Sequence, residues 1–119
     1  MQVQVNAGLG PQKHVALERW AEGYLGDQLS RFAQEITRIE VQLTDETKKG
    51  AVDMRCMMEA RLNGHDPLAV NHHGQTQDEA FRGAAQRLVN LLDHTLGKLD
   101  RHQHRQRGTI RKDSDVPLM

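Results

Sequence analysis

An alternating segment that ends in Asn63-Gly64 constrains the fold of this chain more than any other feature. Apolar residues occupy every second position from Cys56 to Leu62, the pattern of a strand with one buried face. Asn-Gly is the strongest short hairpin signal that a sequence can carry. A second alternating segment follows, opened by Pro67, with Leu68 and Val70 facing in. The sequence therefore predicts two antiparallel strands that share an apolar face.

Two more strands and two helices are predicted around this hairpin. Short alternating segments at Val3–Val5 and Ile39–Leu43 predict strands, and a polar connection, residues 45–50, leads on to the hairpin. Apolar residues at three- and four-residue spacing predict one helix from about Gln12 to Ala33. A second helix begins at the capping box Thr76-Gln77-Asp78-Glu79 and runs past residue 101.

The predicted order is therefore β-α-β-β-β-α. Four strands with one apolar face and two helices to cover it predict a two-layer α+β sandwich, with both helices on one face of the sheet. We assign residues 1–101 to this domain and interpret residues 102–119 as a basic, flexible C-terminal tail, because that segment is polar and lacks an apolar period.

The composition argues against several classes of function. The 119 residues contain two serines, neither in a nucleophile-elbow context, and one cysteine, Cys56, on the inward side of its strand. The neighbours His72 and His73 point to opposite faces of a strand, so a metal ion shared between them is hard to build. We expect no enzyme activity, cofactor, metal or small-molecule substrate. No apolar run reaches the length of a membrane span and no signal peptide is evident, so the expected location is cytoplasmic, with no membrane partner.

A zero net charge conceals an uneven distribution of charge. The chain has 16 basic and 16 acidic residues, yet residues 98–112 hold six basic residues against one acidic residue, a net of +5, which leaves −5 for the remainder. On a helical wheel, one side of the second helix carries only basic residues, with Asp93 and Asp100 on the opposite flank. We call this set the basic stripe: Arg87, His94, Lys98, Arg101 and Arg105. A single-sign stripe suits a phosphate backbone, with Arg82 and the basic residues of the tail in support.

Three segments in this order resemble the hibernation-promoting factor / ribosome-associated inhibitor family. They are residues 55–64 (RCMMEARLNG), residues 67–73 (PLAVNHH) and the helix from Asp78 to Leu99. The resemblance covers residues 1–101. It implies a protein that binds the ribosomal small subunit in the mRNA–tRNA channel under stress or in stationary phase, with basic helix residues on ribosomal RNA. Arg87 and Lys98 match positions where the family has Lys or Arg, whereas Gln28, Asn90 and His94 stand where it often has basic residues. The length implies a short form without the C-terminal dimerisation domain.

Two main hypotheses follow for the function, with a metal-binding stress protein that uses the histidines as a distant third. The first is a non-enzymatic translation inhibitor whose basic stripe holds phosphates of small-subunit ribosomal RNA. The alternative is a protein-interaction or regulatory module, such as a homodimer, that uses the polar outer face of the sheet. That face would present Arg55, Met57, Glu59 and Arg61.

Overall fold

The structure, a computed structural model, describes residues 1–8 and 11–109, and the side chains of 1–8 and 12–97. Four strands and two helices follow one another in the predicted order. They are β1 (Gln2–Asn6), α1 (Pro11–Gln28), β2 (Ile36–Asp45), β3 (Met54–Leu62), β4 (His65–Gly74) and α2 (Gln77–Thr109). The prediction of an α+β fold with the order β-α-β-β-β-α is confirmed.

The strands form one mixed sheet in the order β1-β2-β3-β4. β1 pairs with β2 in parallel, and the two hairpin pairs are antiparallel. The register aligns the inward side chains in rows across the sheet, for example Val5, Val41, Met58 and Val70. This alignment places the apolar positions of all four strands on one face, as the alternating sequence pattern requires.

Both helices cover that apolar face. The buried residues of α1 (Ala21 and Leu25) and of α2 (Phe81, Leu88 and Leu92) belong to the same core cluster as the inward strand residues. The three α2 residues are spaced by seven and four positions, which places them on one face of the helix. At the free edge of β1, the Glu18 carboxylate of α1 accepts a hydrogen bond from the Val5 N–H at 3.0 Å.

The two antiparallel hairpins turn in different ways. The Asn63-Gly64 hairpin is confirmed, with Gly64 in the left-handed region (φ 69°) and a shift of register next to the turn. In the β2–β3 connection, Lys49 (φ 51°) and Gly50 (φ 79°) both have positive φ, which is the backbone of a type I′ turn. The bridge between Lys48 and Ala51 closes this turn.

The start of α2 follows the predicted capping box with one difference. The Thr76 hydroxyl accepts a hydrogen bond from the Glu79 N–H at 3.0 Å. The Glu79 carboxylate accepts one from the N–H of Gln75 at 3.2 Å, one residue before the cap. Both bonds satisfy N–H groups at the start of the helix, where no carbonyl of the preceding turn is available.

The first helix ends earlier than the sequence predicts. α1 stops at Gln28, and a short 3₁₀ turn over Ser30–Phe32 follows, instead of one helix to Ala33. The turn keeps Phe32 in the core and leads into β2, which begins at Ile36. A register shift between Ile36 and Arg38 keeps Ile36 on the buried face together with Ile39.

The second helix continues through Thr109, so the boundary expected at residue 101 falls within it. In the part of the chain that the structure describes, neither helix combines the length and apolar character needed to cross a membrane.

Candidate nucleic-acid interface

Two members of the basic stripe have described side chains, and both lie exposed on one side of α2. Arg87 and His94 are two helical turns apart, a rise of about 10 Å along the axis. Gly83, one turn before Arg87, contacts the ring of His72 on β4. This flank of α2 therefore lies on the β4 side of the molecule, away from α1.

Within the described residues, the basic side chains of Arg87 and His94 have no acidic neighbour that neutralises them. Among the side chains that the structure describes, neither forms an ion pair or a side-chain hydrogen bond. Asp93 lies on the opposite flank, where its carboxylate pairs with Arg31 at 3.3 Å. The separation of charge that the wheel predicts for this part of α2 is thus present in the folded protein.

Three further stripe residues lie on the last turns of α2. Lys98, Arg101 and Arg105 fall within the helix, but their side chains lie outside the described residues. The basic residues Arg107, Arg111 and Lys112 also have no described side chains. Most of the +5 segment therefore stays a prediction from the sequence.

Arg82 has different surroundings from the rest of the predicted set. Its Nε donates to both carboxylate oxygens of Asp78, at 2.9 and 3.0 Å, and this hydrogen bond raises the pKa of the guanidinium. The same guanidinium lies over the rings of Tyr24, at 5.0 Å, and Trp20, at 5.5 Å. Arg82 therefore faces α1 rather than the flank of Arg87, and its charge is largely balanced by Asp78.

An aromatic cluster between the two helices is the feature that sequence reasoning missed. Trp20 stacks on Tyr24 with ring centroids 5.3 Å apart, and both rings contact Phe81. The i, i+4 spacing of Trp20 and Tyr24 predicts that these two rings meet. Phe81 joins them only through the packing of α2 against α1. Three of the four aromatic residues are thus brought together.

The cysteine and the two neighbouring histidines of β4, which could in principle take part in chemistry, are engaged in contacts within the fold. Cys56 is fully buried, and burial raises the pKa of its thiol to about 12, so it is a core residue rather than a nucleophile. His72 packs on Gly83 of α2, whereas His73 bonds to Asp53 at 2.8 Å. The prediction that the two histidines point to opposite faces is confirmed.

One cluster of possible metal ligands forms where the β2–β3 hairpin meets β4. Ligand atoms of Glu46, Asp53 and His73 all lie within 4.8 Å of one another. The site is already filled by internal pairs, because His73 bonds to Asp53 and Arg55 approaches Glu46 at 3.4 Å. A guanidinium at this distance opposes a second cation, and we assign no metal to the cluster.

The outer face of the sheet carries charges that pair with each other. Glu40 pairs with Arg38 and with Arg61, and Arg61 also pairs with Glu59 at 3.3 Å. Met57 lies half-buried among them. An open depression of about 700 Å³ extends from this face past the edge of β1 to His14 and Glu18. Because the charges are satisfied internally, this face offers less attraction to a phosphate backbone than the flank of α2.

No protein-family model matches the sequence. A search of the curated proteins also finds no match.

The fold is that of small two-layer α+β proteins with a β1-β2-β3-β4 sheet and two helices on one face, as in the family that the sequence resembles. Two solved structures share it. A ribosomal subunit interface protein from Coxiella burnetii aligns with a TM-score of 0.60 at 16% identity, over 82% of this chain and 99% of that protein. The N-terminal domain of Protein Y from Thermus thermophilus aligns with a TM-score of 0.61 at 17% identity, over 80% of this chain and 99% of that domain. The resemblance is thereby confirmed for the fold.

Proposed function

We propose that this protein is a non-enzymatic factor that associates with the ribosome. It binds ribosomal RNA of the small subunit through the basic stripe, in the channel for mRNA and tRNA, and inhibits translation under stress or in stationary phase. The observation that carries the proposal is a pair of exposed basic side chains, Arg87 and His94, on one flank of α2, neither of which pairs with a side chain that the structure describes. They stand on a scaffold of the same fold as a ribosomal subunit interface protein.

The chemistry of the flank supports phosphates as the ligand. Arg and Lys side chains that neutralise phosphates release condensed counterions, which gives affinity without sequence preference and a strong dependence on salt. Binding to phosphates without sequence preference suits a factor that blocks the channel irrespective of the mRNA sequence. The chain outside residues 98–112 has a net charge of −5, so the basic stripe is the main attraction for phosphates and also orients the protein.

Co-sedimentation with purified small subunits at increasing salt tests the proposal. We expect the triple variant Arg87→Gln, Lys98→Gln and Arg101→Gln to lose most of its association. The matched control is Lys48→Gln, Lys49→Gln and Arg61→Gln, which removes the same number of positive charges from the hairpin tip and the outer face of the sheet. The control should sediment like the unchanged protein, whereas equal loss in both triples would refute a role for the stripe.

The alternative, a protein-interaction module on the outer face of the sheet, predicts a different result. A homodimer would show twice the monomer mass by light scattering without RNA, and the control triple, which includes Arg61, would change that mass. The internal pairing of charges on this face favours the RNA-binding function instead.

A further inference from the structure

Trp20 is unusually accessible for a tryptophan in a cluster of stacked rings. Its side chain is 40% exposed although it contacts both Tyr24 and Phe81. Burial of a large aromatic ring is a main source of core stability, so an exposed tryptophan at a helix–helix junction has a free surface for a ligand.

The free surface of Trp20 borders a small pocket between α1 and the start of α2. The pocket has a volume of about 250 Å³ and is lined by Leu17, Trp20, Leu43, Gln77, Asp78 and Phe81. Leu17, one turn before Trp20, lines the pocket, whereas Tyr24, one turn after it, does not. Tyr24 stacks on Trp20 and the Arg82 guanidinium lies over the Trp20 ring at 5.5 Å. The part of Trp20 that remains exposed borders the pocket.

The rim of the pocket combines apolar walls with a neutral polar edge. Gln77 offers an amide that both donates and accepts hydrogen bonds. Asp78 is held by Arg82 through both carboxylate oxygens, so the pair adds little net charge. A flat ring against Trp20 could thus bond to Gln77 at its edge without meeting an unbalanced charge.

A positively charged side chain lies outside the pocket, on the face of α1 that carries Trp20. Lys13 precedes Leu17 by four residues and Trp20 by seven, a spacing that places all three on one face of the helix. Lys13 is exposed and forms no ion pair among the described side chains. The surface therefore presents an aromatic face, a hydrogen-bonding edge and a positive charge about 10 Å further along the helix. These features complement a nucleotide, whose base is flat and whose phosphate is negative.

We propose that this pocket receives one unpaired nucleobase of the bound RNA, stacked on Trp20, with the adjoining phosphate chain passing Lys13. The inference rests on the proposed RNA-binding function and adds a second contact, which lies on the α1 side of α2, opposite Arg87 and His94. A stacked base is recognised by its ring face, so the pocket accepts single-stranded RNA with little sequence preference.

Fluorescence of Trp20 tests the pocket directly, because it is the single tryptophan of the chain. The full-length protein is titrated with a short single-stranded oligoribonucleotide and with an abasic strand of the same length and charge. We expect the strand with bases to quench Trp20 and to bind about 5- to 150-fold more tightly, the value of one stacked base. The abasic strand should bind through its phosphates alone and leave the emission unchanged.

Three variants distinguish an effect on the pocket from an effect on the fold. Gln77→Leu keeps the tryptophan and changes an exposed position at the first turn of α2, and it should weaken only the strand with bases. Gln34→Leu, the same exchange at an exposed position in the turn before β2, is the matched control and should change the binding of neither strand. Trp20→Leu should make the two strands bind equally, with the circular dichroism melt as a check of folding.

Three results would refute the proposal that the pocket binds a nucleobase. Equal, salt-dependent binding of both strands with no change in Trp20 emission would refute base stacking and leave the phosphate-binding stripe intact. Binding of neither strand by a protein that still sediments with small subunits would also refute it. A leucine-rich peptide that alters Trp20 emission where the strand with bases does not would assign the pocket to a protein partner.

Discussion

The imidazole ring of His72 on β4 occupies the place that a side chain on Gly83 of α2 would need. A Cβ at Gly83 would lie 2.0 Å from Cδ2 and 2.2 Å from Nε2 of His72. Glycine at this position therefore lets α2 pack closely on β4. The same contact orients the flank of α2 that carries Arg87 and His94.

We expect Gly83→Ala to lower the free energy of unfolding by about 1–2 kcal/mol. Overpacking against His72 costs about 1–3 kcal/mol, and the better helix propensity of alanine returns up to about 1 kcal/mol. Urea denaturation measures the change. The double variant with His72→Ala should recover much of the loss, since it removes the clash.

Gly97→Ala on the same helix is the matched control for this prediction. Among the described residues, nothing outside the local helix backbone lies within 4 Å of a Cβ at Gly97, so alanine should raise stability by up to about 1 kcal/mol. Equal effects of the two substitutions would contradict the close contact of Gly83 with His72.

The Cys56 thiol should be inert in the native protein. Burial raises its pKa to about 12, so almost no thiolate is present at pH 8. We expect a thiol reagent such as dithionitrobenzoate to react slowly in buffer and rapidly in urea, with absorbance as the measurement. Rapid stoichiometric labelling of the folded chain would contradict this expectation.

The raised pKa of the Cys56 thiol should also make the protein less stable at alkaline pH. A group whose pKa is raised in the folded state stabilises the fold at pH values below its unfolded pKa, near 9.0, and that contribution is lost as the pH rises toward 12. The variant Cys56→Ala should lose less stability between pH 8 and pH 10 than the unchanged protein. Parallel curves for the two proteins would argue against a buried, neutral thiol.

The decrease in stability at acidic pH should depend on Thr47. Hydrogen bonds from the side chain and backbone of Thr47 lower the pKa of Asp45 below its ordinary value of 3.8. This contribution is present above the unfolded pKa and is lost as the pH falls through the lower folded pKa. We expect Thr47→Ala to move the Asp45 titration upward in an NMR experiment.

Thr37→Ala provides the control for the Asp45 titration. Its hydroxyl donates to the Arg61 carbonyl, far along β2 from Asp45, and its removal should leave the titration of Asp45 unchanged. A shift of the same size in both variants would mean that Thr47 does not set the pKa of Asp45.

The salt dependence of RNA binding should distinguish Arg87 from Arg82. Removal of one phosphate contact lowers the magnitude of the slope of log K against log salt by about 0.7 for a single strand. We expect Arg87→Gln to show this decrease and Arg82→Gln to show a smaller one, because Asp78 already balances the charge of Arg82. Filter binding to a single-stranded oligoribonucleotide at several salt concentrations gives the slopes, and the reverse order would place the phosphates on the α1 side.

The sequence by itself determined which elements form and which of their faces is buried. Alternation from Cys56 to Leu62 and the Asn63-Gly64 turn specify a hairpin through local backbone preferences. Thr76 and Glu79 start α2 for a similarly local reason, since capping bonds join residues close in the chain. The placement of Arg87 and Asp93 on opposite flanks of α2 also follows from helical spacing.

Only the tertiary structure decided which residues of different elements meet. The end of α1 at Gln28 depends on the position of Phe32 in the core, which overrides a helical pattern that continues to Ala33. The Arg82 guanidinium lies over Trp20 and Tyr24 because α1 and α2 pack against each other across the sheet. The pocket lined by Trp20 and Phe81 depends on the same packing. Such contacts join residues about 60 positions apart, and periodicity within one helix holds no information about its neighbour.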